Sequence, residues 1–341
     1  MRANIIRYPI IASAVLIAVL AILSLVTRTN TGSAPPGNLP STASAPMGQT
    51  VKGGSMYLEF LEKCNRHGAI RVKTLTLKYR FGPAHSPLIF EYNGRDYVGD
   101  TDKASLLVKV QKRGGEYLVD FEYVYEGEAQ QPTGNATNKW VSVKLSVHRM
   151  LHTVYRPGEG FFLPNGTRLG ALFPLFVAGD RVPLSVVWAK PGGDYKLSNV
   201  KEAAARRISV TVFDLDRKLA VEINGSRVAR MASLETLRNT SAVYEYARLT
   251  RRLRELSGCR IAAIAHYDAE GPERLYVDVD YPTGLPVFLI MDGAARYRPG
   301  GEYYRNGVKM SSMPASELAV LFKLRSVEIA LQLEEVAYTR G

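Results

Sequence analysis

The sequence predicts a mainly β chain of the α+β class, with an amino-terminal transmembrane helix ahead of a large antiparallel β-rich ectodomain that carries a few packing helices. Three observations carry this reading. Tyr8 to Thr27 is apolar and free of charged side chains, residues 28–54 are dominated by Ser, Thr, Pro, Gly and Ala, and the rest alternates apolar with polar residues between Asn-Gly and Gly-Gly turns. The organisation expected is residues 1–8 in the cytoplasm, 9–27 as a signal anchor, 28–54 as a flexible linker, 55–199 as a first β-rich lobe, and 200–341 as a second lobe with a helix at 242–257.

A helix of twenty residues rises roughly 30 Å, the hydrocarbon thickness of a bilayer. The apolar run is longer than the core of a secretory signal peptide, and the small-x-small tripeptide Ala43-Ser44-Ala45 lies far downstream and precedes Pro46. An uncleaved anchor is therefore expected, and a cleaved peptide is the alternative. No Cys follows the run closely, which excludes a lipoprotein anchor. Arg2 and Arg7 precede it and only Arg28 follows closely, so the positive-inside rule puts the amino terminus in the cytoplasm and the remainder outside. The linker contains Pro35, Pro36, Pro40 and Pro46 and too little apolar surface to fold. As a coil it spans roughly 30 Å.

Tyr57, Phe60, Leu61 and Cys64 fall on one face of a short helix that ends near Gly68. Strands are expected at 70–80, 88–92, 97–98, 106–110, 117–125 and 141–147, with Asn93-Gly94 as a type I′ hairpin and Gly114-Gly115 as a second turn. A glycine- and proline-rich middle, 158–194, holds short strands at 169–176 and 184–188. Strands at 208–213 and 219–223 lead to a helix from Ser241 to Leu256. Val243, Ala247, Leu253 and Leu256 face inward on that helix, Arg248, Arg251, Arg252 and Glu255 face outward, and Gly258 sits at its end. Strands at 261–266, 275–281 and 287–290, a hairpin at Asn306-Gly307, a helix at 316–322 and a strand at 327–336 complete the chain.

Cys64 and Cys259, the only cysteines, form an even pair compatible with one disulfide in an oxidising compartment. Such a bridge closes a loop of about 195 residues, worth roughly 5 kcal/mol in the chain-entropy model. Four sequons begin at Asn135, Asn165, Asn224 and Asn239, all in the expected ectodomain. Both features agree with the charge rule. The net charge of +12 falls to +9 without Arg2, Arg7 and Arg28, leaving 41 basic against 32 acidic residues. A basic exterior suits anionic lipid or acidic glycan, but the cations form no dense block. No nucleic-acid partner is expected on an outward-facing domain.

Little of the sequence reads as chemistry. His148-x3-His152 has zinc spacing for a helix, but Val141, Val143, Leu145 and Val147 mark a strand, in which residues four apart lie roughly 13 Å from one another. Asp278 and Asp280 share one strand face at about 7 Å, within the range of an inverting glycosidase, and Asp214 and Asp216 repeat the spacing. The solvent side of half-buried strands is the simpler account of both pairs. Arg248, Arg251, Arg252 and Arg254 have Glu245 and Glu255 within helical reach, as on a solvated, ion-paired face. No nucleophile elbow, phosphate loop, dinucleotide fingerprint or C-x-x-C occurs. No catalytic, cofactor-binding or metal-ligating residue is assigned, and no cofactor is expected.

The segment Leu275-Tyr-Val-Asp-Val-Asp-Tyr-Pro-Thr283-Gly284-Leu285-Pro286-Val287 resembles the strand, acidic residue, Thr-Gly-Leu-Pro turn and return strand of bacterial periplasmic lipoprotein carriers and related envelope proteins. The resemblance covers about a dozen residues. It implies an open antiparallel sheet wrapped around helices and carries over no binding residue. The functional expectation is a single-pass envelope protein, non-catalytic, that contacts the membrane through residues 9–27 and binds envelope proteins, anionic lipid or glycan. The alternatives are an anchored enzyme acting on glycans or lipids and a pilin-like filament subunit.

Overall fold

The computed structural model describes residues 56–61, 63, 72–82, 87–132, 140–156, 159–169, 185–188, 196–199, 205–224, 227–235, 241–269, 275–292, 296–298, 302–305, 308–309, 317–326 and 328–340. All belong to one unit, Gln49–Gly341. The expected anchor 9–27 and linker 28–54 lie outside the described residues. Among the described residues no helix is long and apolar enough to cross a membrane.

Antiparallel strands dominate, as the alternation predicts. The amino-terminal half supplies β1 (Val72–Phe81), β2 (Leu88–Tyr92), β3 (Arg95–Gly99), β4 (Ala104–Arg113), β5 (Glu116–Pro132), β6 (Trp140–Arg156) and β7 (Gly160–Phe162). A separate two-stranded ribbon, β8 (Ser185–Trp188) and β9 (Lys196–Asn199), follows. Then come β10 (Ala205–Asp214), β11 (Leu219–Asn224), β12 (Arg227–Ser233), the helix α1 (Ser241–Ser257), β13 (Ala262–Ala269), β14 (Leu275–Asp280) and β15 (Pro286–Asp292). A small three-stranded sheet of β16 (Arg296–Arg298), β17 (Glu302–Arg305) and β18 (Val308–Lys309) precedes the helix α2 (Glu317–Leu321) and the last strand, β19 (Glu328–Arg340).

Fourteen strands form one sheet in the order β12-β11-β10-β13-β14-β15-β19-β1-β4-β5-β3-β2, with β6 beside β5 and β7 beside β6. The long strand β5 pairs with β4 over its first half and with β3 at Ala129–Gln130, while β6 runs along its other edge from Tyr117 to Pro132. The carboxy-terminal strand is central: β19 pairs with β15 on one side and β1 on the other, joining strands from both halves of the chain.

The register carries one apolar face through the sheet. Val277 lies opposite Leu289, Leu289 opposite Leu331, Leu331 opposite Phe81, Leu77 opposite Val108 and Val108 opposite Phe121, and all are buried in one core cluster. The face ends in aromatics. Phe90 packs on Tyr125 at 4.6 Å between ring centroids, Phe81 meets Tyr123 edge-on at 5.6 Å, and Phe322 from the turn after α2 stacks on Tyr123 at 5.9 Å. The chain after α2 also closes against β2, where the Arg325 amide donates to Ile89 O and the Ile89 amide donates to Ser326 Oγ.

Local rules account for most of the turns. Asn93 and Gly94 both take positive φ, 49° and 76°, as a type I′ hairpin requires. Gly258 ends α1 at φ 69°, and its amide donates to Arg254 O. On α1 the buried residues described are Tyr246, Leu249, Thr250, Leu253, Leu256 and Ser257, with Arg248, Arg251 and Arg252 exposed; the side chains of Val243 and Ala247 lie outside the described set. In the helix at 56–61, Tyr57 and Leu61 are buried, but Phe60 points outward beside exposed Met56, so the inward face is narrower than the sequence pattern predicts.

Candidate functional site

The structure assembles a polar cluster across four neighbouring strands, from residues that are dispersed in the sequence. Thr211 lies on β10, Glu222 on β11, His266 on β13, and Tyr276 and Asp278 on β14. The short connection between β13 and β14 sets a register in which His266 faces Asp278 directly, and Thr211 faces Glu222 across the next pair. His266 Nδ1 lies 2.7 Å from Asp278 Oδ1 and 3.2 Å from the Tyr276 hydroxyl, while Nε2 lies 3.1 Å from Thr211 Oγ1. One ring nitrogen thus meets a carboxylate and the other an alcohol. This is the order of groups in an Asp-His-hydroxyl relay.

The site is partly buried, with the His266 side chain 23% exposed and that of Asp278 14%. Burial opposes the imidazolium. The hydrogen bond to Asp278, the charge of Asp278 and that of Glu222 more than offset burial, and they raise the His266 pKa above its ordinary value. The ring is therefore held charged toward higher pH than a free histidine.

The second aspartate of the strand has a different task. Asp280 is 2% exposed; Oδ1 accepts from the Tyr246 hydroxyl of α1 at 2.7 Å, and Oδ2 accepts from the Thr283 amide at 3.1 Å and from the Thr283 hydroxyl. Thr283 Oγ1 in turn accepts from the Leu285 amide, and Gly284 takes φ 73° with its amide donating to Asp280 O. The Thr-Gly-Leu-Pro turn is thus built around one buried carboxylate. Burial raises the Asp280 pKa to about 6, although the hydrogen bonds from Thr283 and Tyr246 pull it down.

Asp278, Asp280 and Asp214 therefore depart from the solvent-facing account, whereas Asp216 is exposed. Asp278 is paired with His266, and Asp280 is enclosed by the turn and α1. Asp214 closes β10, where it accepts from the Tyr57 hydroxyl at 3.2 Å and the Arg217 amide at 3.0 Å, and Asp216 sits in the following turn. Asp214 and Asp280 stand at strand ends where a following turn supplies donors, and Asp278 is covered by its cross-strand partner His266. The Tyr276 and Thr211 hydroxyls carry no motif, and His266 stood alone in the sequence. A register counted outward from the five residues 270–274, with Ala269 opposite Leu275, brings His266 to Asp278.

His148 and His152 lie on β6 as the strand alternation predicts, each against its own carboxylate on β5: His148 Nε2 is 2.5 Å from Glu122 and His152 Nδ1 is 2.8 Å from Asp120. Among the described residues no group of three or more His, Cys, Asp and Glu side chains is placed to hold a metal ion. On α1, Arg251 and Arg252 both reach Glu255, at 3.3 and 3.2 Å, and Arg248 donates to Glu334 O. Cys259 is buried, 3% exposed, just beyond α1, and Cys64 lies outside the described residues. Asn165 and Asn224 are exposed; Asn135 and Asn239 lie outside the described residues.

Comparison with protein-family models, curated proteins and solved structures gives no match to this chain.

Proposed function

We propose that this chain is a single-pass, membrane-anchored extracytoplasmic protein whose β domain binds a partner in the cell envelope without catalysis of its own. The observation that carries the reading is the open edge of the large sheet. Along β6, Trp140 to Thr153 pair with β5 alone among the described strands, because β7 covers only Val154 to Arg156. Trp140, Val141 and Met150 on this strand are exposed, Trp140 at 56%. An open edge with apolar side chains is a template for strand addition. His148, His152 and Arg156 on this strand are each turned to a carboxylate on β5, while Lys144 is exposed. A photo-crosslinking residue placed at Ser142 in the membrane-bound protein is expected to give a discrete adduct that the pair Trp140→Glu with Val141→Lys abolishes. Absence of any adduct in native membranes contradicts the reading.

The compartment also bears on Cys64 and Cys259, which we take to be bridged, and on the sequons at Asn135, Asn165, Asn224 and Asn239. Support comes from burial of Cys259 and from the core position of Tyr57 and Leu61 just ahead of Cys64. Non-reducing peptide mapping of protein from native membranes is expected to yield one peptide pair holding both cysteines. Two separately alkylated thiols rule the bridge out.

A second reading, an anchored hydrolase, is favoured by the Asp278-His266-Thr211 alignment. It requires an activity on glycan or lipid esters that His266→Ala removes. A detected activity that survives this substitution excludes the relay.

A further inference from the structure

The open edge of β6 is bounded at both ends. The strand begins at Trp140, and β7 takes over its outer side at Val154, so the free stretch is centred on Ser146 and Val147. An antiparallel copy of the same strand can be laid against it about a two-fold axis normal to the sheet. Such an axis keeps the two inner faces on one side, so odd-numbered residues meet odd-numbered residues and the axis passes through a residue. Centred on Ser146, this register sets Trp140 opposite His152 of the second copy and uses residues 140–152 of both strands, a ladder roughly 40 Å long. Moved one residue on, to Val147, it sets Trp140 against Val154, which already pairs with Phe162 of β7.

We propose that the occupant of this edge is a second copy of the chain, joined β6 to β6 about Ser146, an inference that rests on the reading of β6 as a docking edge. The side chains of the strand complement themselves in that register. On the inner face Val141 meets Leu151, Val143 meets Arg149 and Leu145 meets Val147, each pair occurring twice. Val141 is 47% exposed in the single chain, and Val143, Leu145 and Leu151 are half-buried against the core cluster, so the pairing carries the core of one copy into the other. Arg149 brings no loose charge to this band. Its guanidinium donates to Phe322 O and Glu91 O of its own chain, which leaves the aliphatic stem to meet Val143. On the outer face exposed Trp140 meets His152 with Met150 diagonal to it, and Ser146 meets itself. The cations of that face have carboxylates at home: His148 is turned to Glu122, His152 is turned to Asp120, and Lys144 stands opposite Glu128. The same patch serves both copies, so the contact closes at two chains.

The test uses the full-length protein in native membranes, with Ser146→Cys as a reporter at the axis. Directly opposed residues of an antiparallel pair have Cα atoms roughly 4.5–5.5 Å apart, within the span of a disulfide. Wild-type protein, whose only cysteines are Cys64 and Cys259, sets the background. Diamide is expected to convert the Ser146→Cys variant to a species of twice the mass on a non-reducing gel, at least tenfold more than Ser142→Cys, whose two copies stand roughly 27 Å apart in this register. Adding Met150→Cys to Ser142→Cys is expected to restore linkage, because those two positions face each other. Val141→Lys, which sets a cation opposite Leu151, is expected to lower the Ser146→Cys linkage at least fivefold. A Ser146→Cys variant that stays unlinked, or a Ser142→Cys variant that links equally well, overturns the inference. A Ser142 photo-adduct to a different protein without self-linkage also overturns it while leaving β6 a docking edge, and absence of any adduct removes both readings.

Discussion

Asp280 shows how one side chain can define a motif. Its carboxyl group collects two donors from Thr283 and one from Tyr246, so the turn and α1 are fastened at a single point. Its folded pKa of about 6 exceeds the ordinary 3.8, which means that the folded state binds this proton more tightly than the unfolded chain does. The resulting stability is present below pH 4 and is lost as pH rises through about 6, by an amount on the order of 2–3 kcal/mol. The raised His266 pKa has the same sign: its contribution is present below the ordinary histidine range and is lost as pH rises through the folded value. Denaturant titrations between pH 4 and 8 are expected to show falling stability, and Asp280→Asn is expected to flatten the portion between 4 and 6. A wild-type profile that rises across that interval contradicts this account. The spacing of Asp278 and Asp280 was legible in the sequence, but their burial was not. Alternation reports which face a residue is on, and it cannot report that a turn and a helix cover the end of that face.

At the scale of elements, turn chemistry was the most legible feature. Asn93-Gly94, Gly258 and the hairpin between β17 and β18 stand where the sequence places them, and α1 matches its expected span to within a residue. The strand ends were harder to read. β5 reaches Pro132 and β6 spans Trp140 to Arg156, well beyond the expected 117–125 and 141–147, because charged and polar residues such as Glu126, Glu128, His148, Arg149 and His152 break the apolar alternation of the sequence there. The close approach of β3 to β5 also leaves no signature beyond a lone glycine. A Cβ on Gly99 would lie 2.6 Å from the ring of Tyr125. That ring cannot retreat easily, since its hydroxyl donates to Glu128 O at 2.6 Å and its face packs on Phe90. Gly99→Ala is expected to cost about 1–3 kcal/mol in chemical denaturation. A variant as stable as the wild type shows that the β3–β5 junction yields freely.

In the whole molecule, the first and last described strands of the large sheet are neighbours, with Leu75 opposite Tyr338 and Phe81 opposite Leu331. Closing that pair requires nearly the entire domain to be in place, a topology dominated by contacts between distant residues. Periodicity could identify these strands but not their order, because nothing in the local pattern of residues 328–340 distinguishes a central strand from an edge. Two edge regions of the same sheet, on β6 and β12, expose apolar side chains, Trp140, Val141 and Met150 on one and Met231 on the other. An outward-facing domain held by an anchor at 9–27 and a linker at 28–54 would offer these edges to the envelope. Protease added to intact cells measures this most directly. The account predicts that the β domain is cut while cytoplasmic proteins remain whole; survival of the domain alongside digestion of other surface proteins, with cleavage only after the membrane is breached, would contradict it.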